Sequence, residues 1–180
     1  MVKTLPYRLA QFIQALTASV PEEEMERTIR ILTPEAREFF RCQAIQDQHH
    51  ALAVHHTLRQ EGHTNPSLLT AALLHDVGKT VARLPTWLRS IIVLLEWFAP
   101  RLLARLGQPR DTQRLSSKWR RPFVIHVHHP EIGACCAREA GCSPLAVALI
   151  RRHQEKLSPN APRGEENRLL AALQAADNLN

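Results

Sequence analysis

Aromatic residues and glycine are both scarce in this chain, at 5% and six residues out of 180. Strands favour aromatic side chains and tight hairpin turns favour glycine, so little material is present for a many-stranded sheet. Leucine, alanine, arginine and glutamate are abundant instead, and all four favour helix. The length suits one domain that buries a substantial hydrophobic core. The composition therefore predicts a single-domain, all-α protein.

The four cysteines lack the spacing of a metal-binding or disulfide framework. No Cys-x-x-Cys pair occurs among Cys42, Cys135, Cys136 and Cys142. This pattern favours isolated thiols in a reducing compartment. The N-terminus also lacks the charged head, apolar core and small-residue cleavage site of an export signal. We therefore expect a cytoplasmic protein.

No apolar run approaches the length of a membrane-spanning helix. The most apolar stretch, residues 85–106, is interrupted by Arg89 and Glu96, and its longest unbroken apolar run is five residues. A spanning helix requires about 20. We interpret this stretch as a core helix or a homodimer-interface helix. The alternative is a helix that makes peripheral contact with a membrane surface.

Positive charge exceeds negative charge by six, and much of the excess is local. Residues 101–121 hold seven lysines and arginines against one aspartate. This stretch is interpreted as a solvated charged face, although it could also gather an anionic substrate. The excess suits an anionic partner such as a small phosphorylated metabolite. No helix-turn-helix or RNA-binding signature is present, so a specific nucleic acid is not the expected ligand.

Proline following a capping residue divides the chain into helices. Three such pairs are Thr33-Pro34, Asn65-Pro66 and Ser143-Pro144, and His129-Pro130 is a fourth with a weaker cap. Helix ends are predicted at Gly62, Gly78 and Gly141. This punctuation predicts seven to nine helices.

Histidine and aspartate occur on the apolar faces of several of these helices. In a helix over about 44–60, His50 shares one face with Val54 and Leu58. The next helix, over about 66–77, carries His75 and Asp76 side by side at its apolar end. Burying such a pair is costly unless something compensates it, and a divalent cation binds both imidazole nitrogen and carboxylate oxygen.

The same pattern returns near the C-terminus. His153 ends an apolar stripe with Leu145 and Leu149, and Asp177 lies on a face with Leu170 and Leu173. A single histidine on such a face is more often a hydrogen-bonded core residue than a ligand. Several buried ionisable groups together favour one shared cation.

These residues resemble the HD superfamily of metal-dependent phosphohydrolases. Residues 71–79 (AALLHDVGK) look like the signature of this superfamily. Residues 50–54 (HALAV) are similar to its first metal-ligand helix, and residues 175–177 (AAD) are similar to its closing aspartate motif. The resemblance implies an HD-type helical bundle over 44–180, with an apolar and basic insertion at about 84–121. Residues 1–43 are then an N-terminal helical extension packed on the core.

Two further segments resemble the two-metal subfamilies, residues 129–134 (HPEIGA) and 150–155 (IRRHQE). The resemblance implies a first metal on His50, His75, Asp76 and Asp177, and a second on His129 and His153 with Asp76 bridging. His126 and His128 are alternative ligands or polar surface residues. The chain departs from several of these subfamilies at Gln154, where they carry a second consecutive histidine.

The resemblance implies hydrolysis of a nucleotide or another small phosphorylated metabolite by metal-activated water, with Asp76 and Lys79 as the catalytic residues. Lys79 either contacts the substrate phosphate or stabilises the helix end. Imidazole-rich ligation favours one or two ions of Fe, Mn, Ni, Co or Zn over Mg. Two alternatives stay open, a mixed-valent di-iron oxygenase and a non-catalytic metal- or nucleotide-binding regulator.

Overall fold

The computed structural model describes residues 21–81, 86–108, 119–158 and 164–180. Within these ranges the chain is helical and contains no strand, which confirms the predicted all-α class. The α-helices in this part of the chain are α1 (Glu22–Thr28), α2 (Pro34–Arg41), α3 (Ile45–Gln60), α4 (Pro66–Leu74), α5 (Thr86–Phe98), α6 (Pro100–Gly107), α7 (Arg121–Glu139), α8 (Pro144–Arg152) and α9 (Glu165–Leu179). Ile29–Ile31 and Val77–Val81 form short 3-10 helices.

Three of the predicted caps begin helices as expected. The side-chain oxygens of Thr33, Asn65 and Ser143 accept hydrogen bonds from backbone amides in the first turns of α2, α4 and α8. Each cap is followed by proline at the first helical position, where a missing amide hydrogen costs nothing. The sequence therefore determined where these helices begin.

The fourth predicted cap is wrong, because Pro130 lies inside α7. His129 therefore does not begin a helix. A proline in a helix interior cannot donate to the carbonyl four residues earlier, which here belongs to His126. The Nδ1 atom of His129 lies 2.6 Å from that carbonyl oxygen.

Two of the three predicted glycine stops have the left-handed backbone that favours glycine, with φ of 84° at Gly62 and 72° at Gly141. Gly78 instead lies within the 3-10 helix Val77–Val81 and allows that helix to pack against α7. A Cβ at Gly78 would overlap the carbonyl oxygen of His129 and lie 2.8 Å from the amide nitrogen of Gly133. Gly78 is therefore a packing residue.

The main hydrophobic core is formed by α2, α3, α4, α7, α8 and α9. Its largest fully buried side chains include Phe40, Leu58, Leu73, Leu149 and Leu170. Ile29 and Leu32, from the segment before α2, are buried in the same cluster. The Thr33 hydroxyl also donates to the carbonyl of Ala140 at 2.7 Å, which ties this segment to the end of α7. Residues 1–20 of the predicted N-terminal extension lie outside the described residues.

A second, smaller apolar cluster joins α5 and α6 to the beginning of α7. It is centred on Ile92, Leu103 and Phe123. Of the predicted insertion at 84–121, residues 86–108 and 119–121 are described. Among the described helices, none has both the length and the apolar character needed to cross a membrane.

Candidate metal centre

Six histidine and aspartate side chains from five segments converge at one edge of the main core. They form two groups whose ligand atoms lie within 4.8 Å of one another. The first group is His50, His75 and Asp177, and the second group is Asp76, His129 and His153. All six residues singled out from the sequence as metal ligands are therefore brought together, and each group could hold a metal ion.

The first group joins α3, the end of α4 and α9. His50 Nε2 lies 2.8 Å from Asp177 Oδ1, and His75 Nε2 lies 3.6 Å from the same oxygen. His75 is buried, whereas the side chains of His50 and Asp177 are 26% and 31% exposed. The centre is therefore open to solvent on the side of this group.

The second group joins Asp76 to one histidine from α7 and one that follows α8. Asp76 Oδ1 lies 3.2 Å from His129 Nε2 and 3.8 Å from His153 Nε2, and the two nitrogens are 3.3 Å apart. All three side chains are buried. This group is consequently the interior half of the centre.

Asp76 lies between the two groups. Its Oδ1 faces the second group, while its Oδ2 lies 3.7 Å from His75 Nε2 in the first. A carboxylate with its two oxygens turned toward different ligand groups is suited to bridge two cations. This placement agrees with the bridging role that the resemblance implies for Asp76.

Three of the four histidines have the same backbone contact. The Nδ1 atoms of His75, His129 and His153 lie 2.9, 2.6 and 2.7 Å from the carbonyl oxygens of the residues three positions earlier. If Nδ1 carries the hydrogen in this contact, Nε2 is left as the free donor atom for a cation. The backbone thus selects the tautomer that points Nε2 into the centre.

Each accepting carbonyl is one that its helix leaves unused. Ala72 and Ile150 stand in the last turns of α4 and α8, where helices have carbonyls without intrahelical partners. The third carbonyl, of His126, is freed by Pro130 because proline has no amide hydrogen to donate to it. Two helix ends and one proline therefore each leave a carbonyl oxygen available to a histidine Nδ1 atom.

The helices α4 and α8 repeat one arrangement. Each begins with a polar cap and proline, runs for nine residues, and has one histidine of the centre, His75 or His153, as the C-terminal capping residue. The prediction that helix 66–77 continues through His75 is wrong by three residues. Because α4 ends at Leu74, Asp76 falls in the turn that follows and reaches the second group.

The residues fit a bound cation in two respects. His75 Nε2 is buried and has no hydrogen-bond partner among the described residues, which is costly for a polar atom. A tetrahedral cation with ligand distances of about 2.1 Å places its ligand atoms about 3.4 Å apart. The separations of 3.2 to 3.8 Å around Asp76 and His75 are close to that value.

The ionisation of the centre also suits cation binding. Burial opposes ionisation of the carboxyl groups, yet neighbouring positive groups hold the pKa of Asp76 and of Asp177 below their usual range. Burial lowers the pKa of His153 to about 4, which leaves this imidazole neutral and able to bind a metal. Burial works against a charge on His75 too, but Asp76 and Asp177 raise its pKa to about 9. Without a metal, a protonated His75 supplies positive charge next to the carboxylates of Asp76 and Asp177.

Lys79 lies beside this centre. Its Nζ is 2.6 Å from Asp76 Oδ2, and its side chain is 28% exposed. The carboxylates of Asp76, Asp47 and Asp177 raise its pKa against the effect of burial. Lys79 therefore contacts the central carboxylate and stays positively charged at the rim of the centre.

The alternative ligands His126 and His128 are not part of either group. His126 Nε2 lies 3.0 Å from Glu96 Oε1, and His128 Nε2 lies 3.2 Å from the carbonyl oxygen of Gly107. Gln154, where the chain departs from several two-metal subfamilies, is exposed. His126 and His128 therefore connect α7 to α5 and α6, and their side chains do not converge on a shared cation position.

Glu96 and Pro130 are the residues near the centre whose roles the sequence reasoning missed. Glu96 is the lone acid of the apolar stretch, and that isolation was a signal that it has a partner. Pro130 lies inside α7, although the sequence predicts it at a helix beginning. Comparisons with protein-family models, curated proteins and solved structures found no match for this chain.

Proposed function

We propose that this chain is an HD-type, metal-dependent phosphohydrolase that acts on a nucleotide or another small phosphorylated metabolite. The observation that carries the proposal is the position of Asp76 between two histidine-containing groups, with Lys79 at its side. Six potential ligand residues in two adjacent groups match the set that the resemblance implies.

Each of the two proposed ions would have its own set of ligands, with Asp76 shared between them. His50, His75, Asp76 and Asp177 would hold one ion, and His129 and His153, with Asp76, would hold another. Divalent ions held there supply an activated water and neutralise charge on a phosphoryl group. Lys79 provides a positive group that can orient a substrate phosphate at the exposed side of the centre. Four imidazoles against two carboxylates favour Fe, Mn, Ni, Co or Zn over Mg.

The test is a screen of purified protein with each of these metals against nucleotides and phosphomonoesters. We expect phosphate release with at least one transition metal, reduced about 100-fold or more in Asp76→Asn because the shared ligand is lost. Exposed His56 provides the matched control, and His56→Ala should keep full activity. Wild-type turnover in Asp76→Asn, or no turnover with any metal that binds, would contradict the proposal.

A ligand set of imidazoles and carboxylates is also suited to a pair of irons. Iron-loaded protein should therefore be examined by electron paramagnetic resonance after anaerobic reduction. A persistent mixed-valent signal with oxygen uptake would favour the oxygenase. Metal or nucleotide binding without turnover would favour the non-catalytic regulator.

A further inference from the structure

The helix α5 is apolar on two opposite sides, and the described residues cover one of them. On the covered side Ile92 and Leu95 belong to the apolar cluster that includes Leu103 of α6 and Phe123 of α7. On the other side an apolar face extends from α5 into α6. Its members are Val93, Leu94, Trp97, Phe98 and Leu102, which are 50%, 56%, 61%, 83% and 47% exposed.

Val93, Leu94, Trp97 and Phe98 follow one another at i, i+1, i+4 and i+5, which places these four exposed apolar side chains on one face of α5. Isolated exposed apolar residues are ordinary, but a contiguous patch marks a surface that meets something else. Trp119, at the beginning of the next described segment, is also 62% exposed. The patch includes two aromatic side chains, Trp97 and Phe98, which are typical of residues that enter the interfacial layer of a membrane.

The charges next to this apolar face are positive. Arg101 and Arg105 on α6 are exposed, and neither forms an ion pair within the described ranges. Glu96 is the single acid in the sequence of α5 and α6, and its carboxylate faces His126 on α7. The surface therefore combines exposed apolar groups with positive charge that has no ion-pair partner among the described residues.

We propose that the apolar face docks on an anionic membrane surface, a property independent of the proposed hydrolase activity. Trp97 and Phe98 would enter the interfacial layer, and Arg101 and Arg105 would meet lipid phosphates. At 13 residues, α5 would be about 20 Å long, which suits a helix lying along the surface. Anionic lipid supplies both the apolar environment and the negative charge that this face requires.

A second copy of the chain fits the same face less well. A twofold interface brings the same patch of both copies together. The arginines of both copies would then gather at one interface, where the described residues of α5 and α6 offer only Glu96, which faces His126, and like charges in contact oppose association. The charge of the face thus favours lipid over self-association.

Vesicle binding of the full chain tests this proposal. The three tryptophans, Trp87, Trp97 and Trp119, all fall within this region of the sequence, so tryptophan fluorescence excited at ~295 nm reports on it alone. We expect a blue shift and co-flotation with vesicles containing phosphatidylglycerol, and much weaker binding to vesicles of phosphatidylcholine. Equal binding to both kinds of vesicle would overturn the proposal.

Two pairs of variants separate the apolar and the charged contributions. Trp97→Ser with Phe98→Ser should reduce vesicle partitioning about tenfold or more, whereas Ile45→Ser, equally exposed on another helix, should not. Arg101→Gln and Arg105→Gln should each weaken binding about fivefold. Exposed Arg30, in a different part of the molecule, provides the control Arg30→Gln.

The remaining outcomes overturn the proposal. A monomer that binds neither kind of vesicle would mean that the chain's own residues cover the face. A wild-type dimer in light scattering, made monomeric by the Trp97 and Phe98 substitutions, would assign the face to a second copy. Unchanged vesicle binding by that double variant would place the contact elsewhere.

Discussion

Pro130 and the carbonyl oxygen of His126 form a small device that orients His129. Since proline leaves this carbonyl without a backbone donor, the imidazole of His129 takes the position at 2.6 Å. Contacts that fix the orientation of a ligand histidine typically change metal affinity by about 10- to 100-fold. Pro130 would therefore contribute to metal binding through the orientation of His129.

Pro130→Ala should weaken metal binding at the second group by about 10- to 100-fold while leaving the helix intact. The new amide hydrogen would compete with His129 for the carbonyl of His126, and the helix would gain a hydrogen bond. Calorimetric metal titration and circular dichroism measure the two effects separately. Pro144→Ala, at the beginning of α8, is the control and should bind metal normally. Wild-type affinity in Pro130→Ala would show that the proline has no positioning role.

At the scale of elements, the close packing of the 3-10 helix on α7 holds Asp76 and Lys79 beside His129. Gly78→Ala should lower the free energy of unfolding by about 1–3 kcal/mol, because the added Cβ would overlap the His129 carbonyl. The substitution should also weaken metal binding at the second group. Asp76 lies just before the 3-10 helix and His129 lies on α7, so moving these two segments apart would separate the two residues. Urea unfolding and metal titration provide the measurements.

Gly164 is the matched control for Gly78. Its φ is −71° and a Cβ there meets nothing within 4 Å, so Gly164→Ala should change stability by less than about 0.5 kcal/mol. A Gly78→Ala protein as stable as Gly164→Ala would show that the 3-10 helix can move away from α7 at little cost.

Local signals predicted the beginnings of helices and the inward-facing residues well. Asn65 and Ser143 cap as expected because capping depends on a few neighbouring atoms. The role of Gly78 depends on its contact with α7, which lies far from it in the sequence. Pro130 lies inside α7, whereas proline after a polar residue is more typical of the beginning of a helix. The grouping of Asp76 with His129 and His153 likewise depends on how helices pack, which periodicity in a single helix does not encode.

For the whole molecule, the proposed metal binding would be linked to protonation of His75. The folded pKa of His75 in the metal-free chain is raised to about 9, above the ordinary value of 6.5. Its contribution to stability is therefore complete below about pH 6.5 and is lost as the pH rises through 9. A bound cation replaces that proton, so the stabilisation by metal should grow with pH.

We expect the difference in melting temperature between metal-loaded and chelator-treated protein to be larger at pH 9 than at pH 7. The underlying free-energy difference should change by at most about 1.4 kcal/mol per pH unit. Thermal unfolding followed by circular dichroism at both values measures it. A chelator effect that is the same at both pH values would contradict the linkage.

The main hydrophobic core draws apolar side chains from six helices, and none of that apolar burial depends on an ion. We therefore expect the chain to fold without metal, and an ion would then bind to the folded protein. The identity of the bound metal would then depend on which metal is available. Imidazole and carboxylate ligands bind several first-row divalent metals, and their affinities follow the metal more than the site. The same polypeptide can consequently carry different ions in surroundings that offer different ones.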